Sequence, residues 1–144
     1  HNDFVMDVEL ERWIRDSHLN PRTNQVTLIL DACYSGSFAD GETRYPEEFQ
    51  LRAFMKPGYT VLASANNKTE SVQARFGEEG RYYGVFTYHL VNGFLSGAAD
   101  YNTDGKITAA ESRRYIDDQS RNIGLDQRVY LYPGDGGTRV FQYK

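Results

Sequence analysis

VTLILDACYSGSFAD, residues 26–40, joins the clearest strand signal of the chain to its one cysteine. Val26 to Leu30 is a short apolar run rich in β-branched residues, which is typical of a strand buried on both faces of a parallel sheet. Asp31 and Cys33 follow at its carboxyl end, where open α/β sheets place ligands, and Tyr34 to Ser37 supplies turn residues and backbone N–H groups. The stretch therefore predicts an α/β fold with a rigidly held, exposed nucleophile.

Asp31 and Cys33 are two positions apart, so extended geometry would point both side chains to one side. A neighbouring negative charge raises the pKa of a thiol, which makes Asp31 a poor activator of Cys33 and a better receptor for a cationic substrate group. The alternative is structural, with Cys33 as a small buried hydrophobe and Asp31 as a turn former. The pattern alone leaves both interpretations open.

Three blocks of the sequence resemble the caspase-like cysteine peptidases, and are closest to the metacaspase-type and bacterial branches. DACYSG at residues 31–36, YTVLASA at residues 59–65 and GVFTYHLVNG at residues 84–93 are similar to the nucleophile motif, the specificity strand and the segment after that strand. The resemblance covers roughly Phe4 to Ile116. It implies a caspase-like three-layer αβα sandwich around a mainly parallel sheet.

The resemblance implies a thiol endopeptidase in which Cys33 attacks the scissile carbonyl. Backbone N–H groups, including that of Cys33, would hold the oxyanion, and a histidine would take the thiol proton and later protonate the leaving amine. In the family this histidine lies upstream of the cysteine and is usually followed by glycine. His1 is the candidate here, although Asn2 follows it; the alternative is a histidine on an upstream segment or a second chain that supplies the rest of the fold. His18 and His89 are expected to be structural.

The resemblance also implies a peptide or protein substrate with a basic P1 residue. Asp31 stands where caspases have a polar uncharged residue, and it would pair with Arg or Lys at P1, while Ser64 would line the wall of the P1 site. Metacaspases carry a further carboxylate near this point, whereas this chain has Asn66 and Asn67. Asp31 is therefore the main acidic determinant of the expected specificity.

A polar, turn-rich connection runs from Asp40 to Pro57, and a short helix is expected from Glu47 to Met55. Long connections beside a nucleophile are commonly functional. In the resembled family this region can be cut during self-processing, which makes three basic residues candidate cleavage points: Arg44, Arg52 and Lys56. The alternative is an uncut surface loop.

The composition indicates one domain, residues 1–144, which the resemblance implies is a caspase-like domain lacking its N-terminal part. With 144 residues, of which 40% are hydrophobic and 25% charged, the chain is large enough for one core. A net charge of −4 without a basic run argues against a nucleic-acid surface. No segment approaches the roughly 18 apolar residues of a membrane span, and the start has no signal-peptide pattern. A single cysteine excludes an internal disulfide and fits a cytoplasmic location.

Amphipathic helices and short strands are predicted on either side of this stretch. Asp7 to Ser17 shows helical spacing, and a second helix starts near Phe86, after a predicted turn from Gly80 to Gly84. Near the end of the sequence, Val129 to Tyr132 and Thr138 to Tyr143 alternate enough to be short strands joined by a glycine-rich turn, as in a hairpin.

DYNTDGKITAAE, residues 100–111, matches the twelve-residue EF-hand pattern as an insert in the domain. Gly105 allows the sharp turn, and the predicted Ca²⁺ ligands are five side chains and one backbone carbonyl, that of Lys106: Asp100, Asn102, Asp104, Lys106, Thr108 and Glu111. Thr108 and Glu111 alone would also make a capping box for a helix from Ala109 to Asp118. Capping does not explain the acidic and amide residues at alternate positions, so the sequence predicts calcium and no organic cofactor.

Three hypotheses about function follow. The first is an endopeptidase that cleaves after Arg or Lys and is modulated by calcium. The second is a catalytically silent caspase-like module that binds partners, with the calcium loop as a structural element. The third is a calcium-binding module unrelated to peptidases, in which the motif at residues 31–33 is a coincidence.

Overall fold

The computed structural model describes residues 7–17, 25–31, 51–64, 71–125, 127–135 and 139–142. The elements, in chain order, are α1 (Asp7–Asp16), β1 (Val26–Leu30), a 3₁₀ helix (Leu51–Phe54), β2 (Tyr59–Ala63), β3 (Gln73–Phe76), β4 (Arg81–Gly84), α2 (Val85–Ser96), β5 (Lys106–Thr108), α3 (Ala109–Asn122), β6 (Tyr130–Tyr132) and β7 (Val140–Gln142).

The largest sheet of the described residues is organised around β2, all five residues of which are buried. β2 runs parallel to β1, with Leu30 opposite Ala63, and antiparallel to β6, with Leu62 opposite Leu131. The strand order is β1-β2-β6. The parallel pair and the helices around it confirm the predicted α/β class.

Two apolar clusters lie on the two faces of β2, because successive side chains of a strand point to opposite faces. Leu62 points into a cluster formed mainly with α2 and α3: Leu62, Phe86, Ala109, Ile116, Val129 and Leu131. Val61 and Ala63 point into the other cluster, which includes Phe54 of the 3₁₀ helix. Leu10 and Ile14 of α1 pack against this cluster. Helices therefore contribute to both faces of β2.

β1 is less buried than its apolar sequence predicts. Ile29 is 43% exposed, and the other four residues of the strand are only partly buried. Among the described residues β1 pairs with β2 alone, so it lies at an edge of this sheet, and α2 and α3 pack over β2 and β6 instead. The prediction of a strand buried on both faces was wrong for this reason.

The predicted turn from Gly80 to Gly84 is instead the second strand of a hairpin. β3 and β4 pair antiparallel with Phe76 opposite Arg81. The turn lies between the two strands, where the Gly80 N–H donates to the Gly77 carbonyl over 3.1 Å. Both glycines have positive φ, 72° and 58°, which glycine adopts without steric cost. α2 then starts directly after β4 at Val85.

The two C-terminal strands form, but they do not pair with each other as in a hairpin. β6 joins β2, whereas β7 pairs antiparallel with β5, with Phe141 opposite Ile107. Ile107 is completely buried. The middle of the calcium-loop motif therefore lies in the interior, where β5 pairs with β7. Arg139, just before β7, donates from Nε to the Thr27 hydroxyl of β1.

α3 is longer than predicted, because it continues past Asp118 to Asn122. It packs against α2 at Gly93, where an added Cβ would lie 2.6 Å from a ring carbon of Tyr115. Glycine therefore permits the close approach of these two helices. Within the described ranges, the helices are all too short or too polar to cross a bilayer.

Candidate functional site

Asp31 lies directly beyond the carboxyl end of β1 and is held by two hydroxyl groups from distant parts of the chain. Ser71 Oγ donates to Oδ1 over 2.7 Å, and Thr87 Oγ1 donates to Oδ2 over 2.6 Å. Ser71 lies just before β3 and Thr87 lies in the first turn of α2. The carboxylate is thus fixed by the sheet, the hairpin and a helix at once.

Gly84 leaves the space that the Asp31 carboxylate occupies. A Cβ at Gly84 would lie 2.5 Å from Oδ2 of Asp31, so any other residue would displace the carboxylate. Gly84 is also the N-cap residue of α2 and makes no side-chain cap bond. The negative charge therefore lies beside the N-terminal turn of a helix, where the helix dipole stabilises an anion.

The Asp31 carboxylate keeps capacity for a ligand. The side chain is exposed. Among the described residues each oxygen accepts one hydroxyl bond, whereas a carboxylate oxygen has about two acceptor positions. A guanidinium or ammonium group can bind the remaining positions in a charge-assisted hydrogen bond. The arrangement is suited to receive a cation whose position is fixed relative to the end of β1.

Ser64, predicted to line the P1 site, lies next to this carboxyl edge but is completely buried. Its N–H donates to the Leu30 carbonyl over 2.8 Å, and its carbonyl accepts from Gln127 Nε2. Gln127 Oε1 in turn accepts from the Val72 N–H over 3.0 Å. Ser64 therefore holds the two strands and the hairpin together, and its side chain forms no part of the accessible surface around Asp31.

Cys33 and His1, the predicted catalytic residues, lie outside the described residues, as does His18. His89 is described and lies on α2, where it is 6% exposed, and its ring meets Phe76 and Tyr88 edge-on, with centroids 5.3 Å away in each case. Burial lowers the pKa of His89 below its ordinary value. This neutral, packed imidazole fits the structural role that the sequence predicts for it.

Two of the candidate cleavage points lie in the described part of the chain, and Arg44 lies outside it. Arg52 is in the 3₁₀ helix. Lys56 Nζ lies 2.6 Å from Oε1 of Glu11, a carboxylate that is almost fully buried on α1. The hydrogen bond from Lys56 is the main cause of the lowered pKa of Glu11, against the opposing effect of burial. Lys56 thus has a structural partner in addition to its predicted role.

The calcium-loop motif turns sharply at two residues with positive φ. Thr103 and Gly105 have φ of 58° and 78°. Backbone N–H groups of the loop donate to its carboxylates. The Asp104 and Gly105 N–H groups donate to the two oxygens of Asp100 over 3.2 and 2.9 Å. The Lys106 N–H donates to the Asp104 carboxylate over 2.9 Å. Asn102 Oδ1 also accepts from the Asp104 N–H, over 3.0 Å. Asp100 and Asn102 therefore meet at the same N–H group, whereas the Asp104 carboxylate accepts from the Lys106 N–H and from Asn102 Nδ2.

The last predicted ligand, Glu111, serves the helix cap in this structure. Its Oε2 accepts from the Thr108 N–H and hydroxyl over 2.9 and 2.8 Å, and the Thr108 hydroxyl accepts from the Glu111 N–H. The capping box predicted for α3 is confirmed. Within the described residues, no group of three or more His, Cys, Asp or Glu side chains is arranged to hold a metal. A bidentate Glu111 ligand therefore requires the carboxylate to leave the cap.

Tyr101, the second residue of the loop motif, connects the loop to α3. Its hydroxyl donates to Asp118 over 2.9 Å, and the Arg114 guanidinium lies 4.2 Å from the ring centroid. Burial and this hydrogen bond raise the pKa of Tyr101 to about 12. The loop and the outer face of α3 are thus fixed relative to each other.

Sequence reasoning did not identify the residues that orient Asp31. Gly84 and Thr87 lie in the block at residues 84–93 that resembles the family, and this resemblance is the local signal that could have identified them. Ser71 and Gln127 have no local signal, because their partners are 40 and 63 positions away in the chain. Comparison with known proteins identified no matching family model, curated protein or solved structure.

Proposed function

We propose that this protein is a cysteine endopeptidase that cleaves after Arg or Lys. The observation that carries the proposal is the exposed Asp31 carboxylate at the carboxyl end of β1, oriented by Ser71 and Thr87 and two residues before Cys33. A substrate cation bound to Asp31 would bring its own carbonyl group close to Cys33. This is the arrangement that positions a reacting bond against a nucleophile.

In the proposed reaction the Cys33 thiolate attacks the carbonyl carbon of the basic residue. A histidine, for which His1 is the candidate in this chain, takes the thiol proton and returns it to the leaving amine, and water then hydrolyses the acyl-enzyme. Backbone N–H groups, including that of Cys33, would stabilise the oxyanion. Asp31 is a specificity residue in this scheme and not the base, because its charge opposes formation of the thiolate.

The proposed architecture is the caspase-like three-layer sandwich. Its support is the parallel pairing of β1 with β2 and the contribution of helices to apolar clusters on both faces of β2. The start of α2 at the carboxyl edge of the sheet, beside Asp31, also supports it, since ligand sites of open α/β sheets lie at this edge.

The test uses the fact that the chain has a single cysteine, so a thiol adduct identifies Cys33. The protein is incubated with a peptidyl acyloxymethyl ketone carrying Arg at P1, and with the same probe carrying citrulline, which has the shape of Arg without its charge. We expect intact-mass and peptide-mapping measurements to find the Arg adduct on Cys33, and little reaction with citrulline. Equal labelling by both probes would contradict basic specificity, and no labelling with either would favour the silent binding module.

A second candidate function, calcium binding, is favoured by the loop at residues 100–111. The support is that Asp100 and Asn102 accept from one N–H group and that Asp104, two positions on, lies within the same turn, since a hard cation needs several oxygen ligands from one loop. When bound, the cation would supply charge neutralisation for these carboxylates. Glu111 completes the ligand set if its carboxylate turns from the Thr108 cap to the loop centre.

Glu111→Gln is expected to lower the affinity for Ca²⁺ by about 10²-fold, because it removes the charge and the bidentate ligand. Glutamine at this position still serves a capping box, so α3 is expected to keep its start. Isothermal titration with Ca²⁺ measures the affinity. Glu9→Gln, the same change on the exposed surface of α1, is the control and should leave the affinity unchanged. Equal affinities of the two variants would exclude this loop as the calcium site.

A further inference from the structure

We propose that the groove between the β3–β4 hairpin and α2 binds an aromatic or branched apolar side chain of the peptide whose basic residue pairs with Asp31. This inference rests on the proposed function and extends it, because it names a second determinant of the substrate. The proteins and peptides selected would carry an apolar residue close to the basic one.

The groove has a volume of about 470 Å³ and an aromatic wall. Phe76 of β3 and Tyr88 of α2 stack face to face with their ring centroids 3.8 Å apart, and Tyr83 of β4 lies 5.9 Å from Tyr88. Val91, one turn further along α2, is 47% exposed and lines the same groove. The volume is in the range of ligand sites, and one large side chain fits within it.

His89 packs against both stacked rings of the aromatic wall. The imidazole is buried and meets both Phe76 and Tyr88 at nearly right angles, 85° and 81°. The wall therefore joins the hairpin and the helix, and a ligand does not need to order it on binding. Pre-organised surfaces of this kind bind with a smaller entropic cost.

The groove and the Asp31 site share two lining residues. Gly84 and Thr87 belong to the groove wall, and the same two residues touch the Asp31 carboxylate, Thr87 through a hydrogen bond of 2.6 Å and Gly84 through the space it leaves. A peptide whose cation binds Asp31 therefore passes directly beside the groove. This continuity identifies the occupant as a residue of the same peptide.

The charge at the rim agrees with a basic peptide. Glu78 and Glu79 lie in the hairpin turn and line the groove together with Arg81. Glu79 and Arg81 form an ion pair at 2.7 Å, so the charge of Glu78 leaves the rim with a net charge of about −1. The neighbouring Asp31 carboxylate adds a second negative charge. Complementary charge favours the approach of positive peptides and disfavours acidic ones.

Binding is measured by fluorescence anisotropy with the Cys33→Ala variant, so that the readout does not depend on catalysis. The probes are fluorescein-labelled peptides of Gly and Ser with one Arg, and a series in which one Phe is placed in turn at three positions on either side of that Arg. We expect Phe at one of these positions to tighten binding by about tenfold, the effect of filling an apolar pocket, and Glu at the same position to give no gain.

Val91→Ser in the same background is expected to remove the gain from Phe. Leu95→Ser is the matched control, since Leu95 is one turn further on α2, is 73% exposed and does not line the groove; it should keep the gain. No gain at any position, or equal loss in the two variants, would overturn the inference. Cleavage of the Arg peptide by the wild type is measured separately, so that failure of the peptidase proposal shows as absent cleavage and failure of the groove shows as cleavage without preference for Phe.

Discussion

Asp31→Asn is expected to lower kcat/KM for a substrate with Arg at P1 by about 10²-fold, because a hydrogen bond to a charged group contributes about 1.5–3 kcal/mol. Asparagine has nearly the same shape as aspartate, so the fold around Ser71 and Thr87 is expected to be retained. Cleavage of matched Arg and citrulline peptides measures the effect. The variant should cleave both at similar rates, whereas the wild type should prefer Arg.

Asp16→Asn is the control for this experiment, since it removes one charge from the exposed C-terminal turn of α1, away from the site. It should leave the preference for Arg unchanged. If Asp31→Asn keeps the wild-type preference, another group recognises the cation, and the specificity role assigned to Asp31 is wrong. Thermal unfolding of both variants shows whether either substitution has disturbed the fold.

Gln127→Leu is expected to reduce the free energy of unfolding by about 2–4 kcal/mol. Gln127 is 2% exposed and bonds to the Ser64 carbonyl and to the Val72 N–H. Leucine has a similar size but bonds to neither group, and each buried polar group that loses its partner costs about 1–3 kcal/mol. Urea unfolding followed by circular dichroism measures the change.

Gln73→Leu is the matched control, because it is the same change at an exposed position of β3. We expect a change within about 0.5 kcal/mol for this surface position. A stability change of Gln127→Leu as small as that of Gln73→Leu would mean that Gln127 does not hold β2 to the hairpin.

The elements that could be predicted are those with a strong local signal. The apolar run of β1, the helical spacing of α1 and α2, and the capping box at Thr108 and Glu111 each depend on residues within a few positions of one another. Their bounds agree with the sequence to within a few residues. The candidate carboxylate, Asp31, was found for the same reason, since it ends a recognisable strand.

The features that could not be predicted depend on partners far apart in the chain. β3 alternates between polar and apolar residues over only four positions, and β4 is mostly exposed, so their sequences give only a short strand signal. The pairing of β7 with β5 instead of β6 is decided by which edges meet after the core has formed. The burial of Ser64 and its contact with Gln127 likewise follow from tertiary packing.

The pairing of β5 with β7 has a consequence for self-association. A short strand in an exposed loop presents backbone donors and acceptors on which another chain can add. β7 occupies that edge within the same molecule, and Arg139, immediately before it, is bonded to Thr27 and Gln25. The last described strand thus occupies one edge of β5 within the same molecule, which removes that edge from pairing with another chain, and Arg139 ties it to the strand that leads to Asp31.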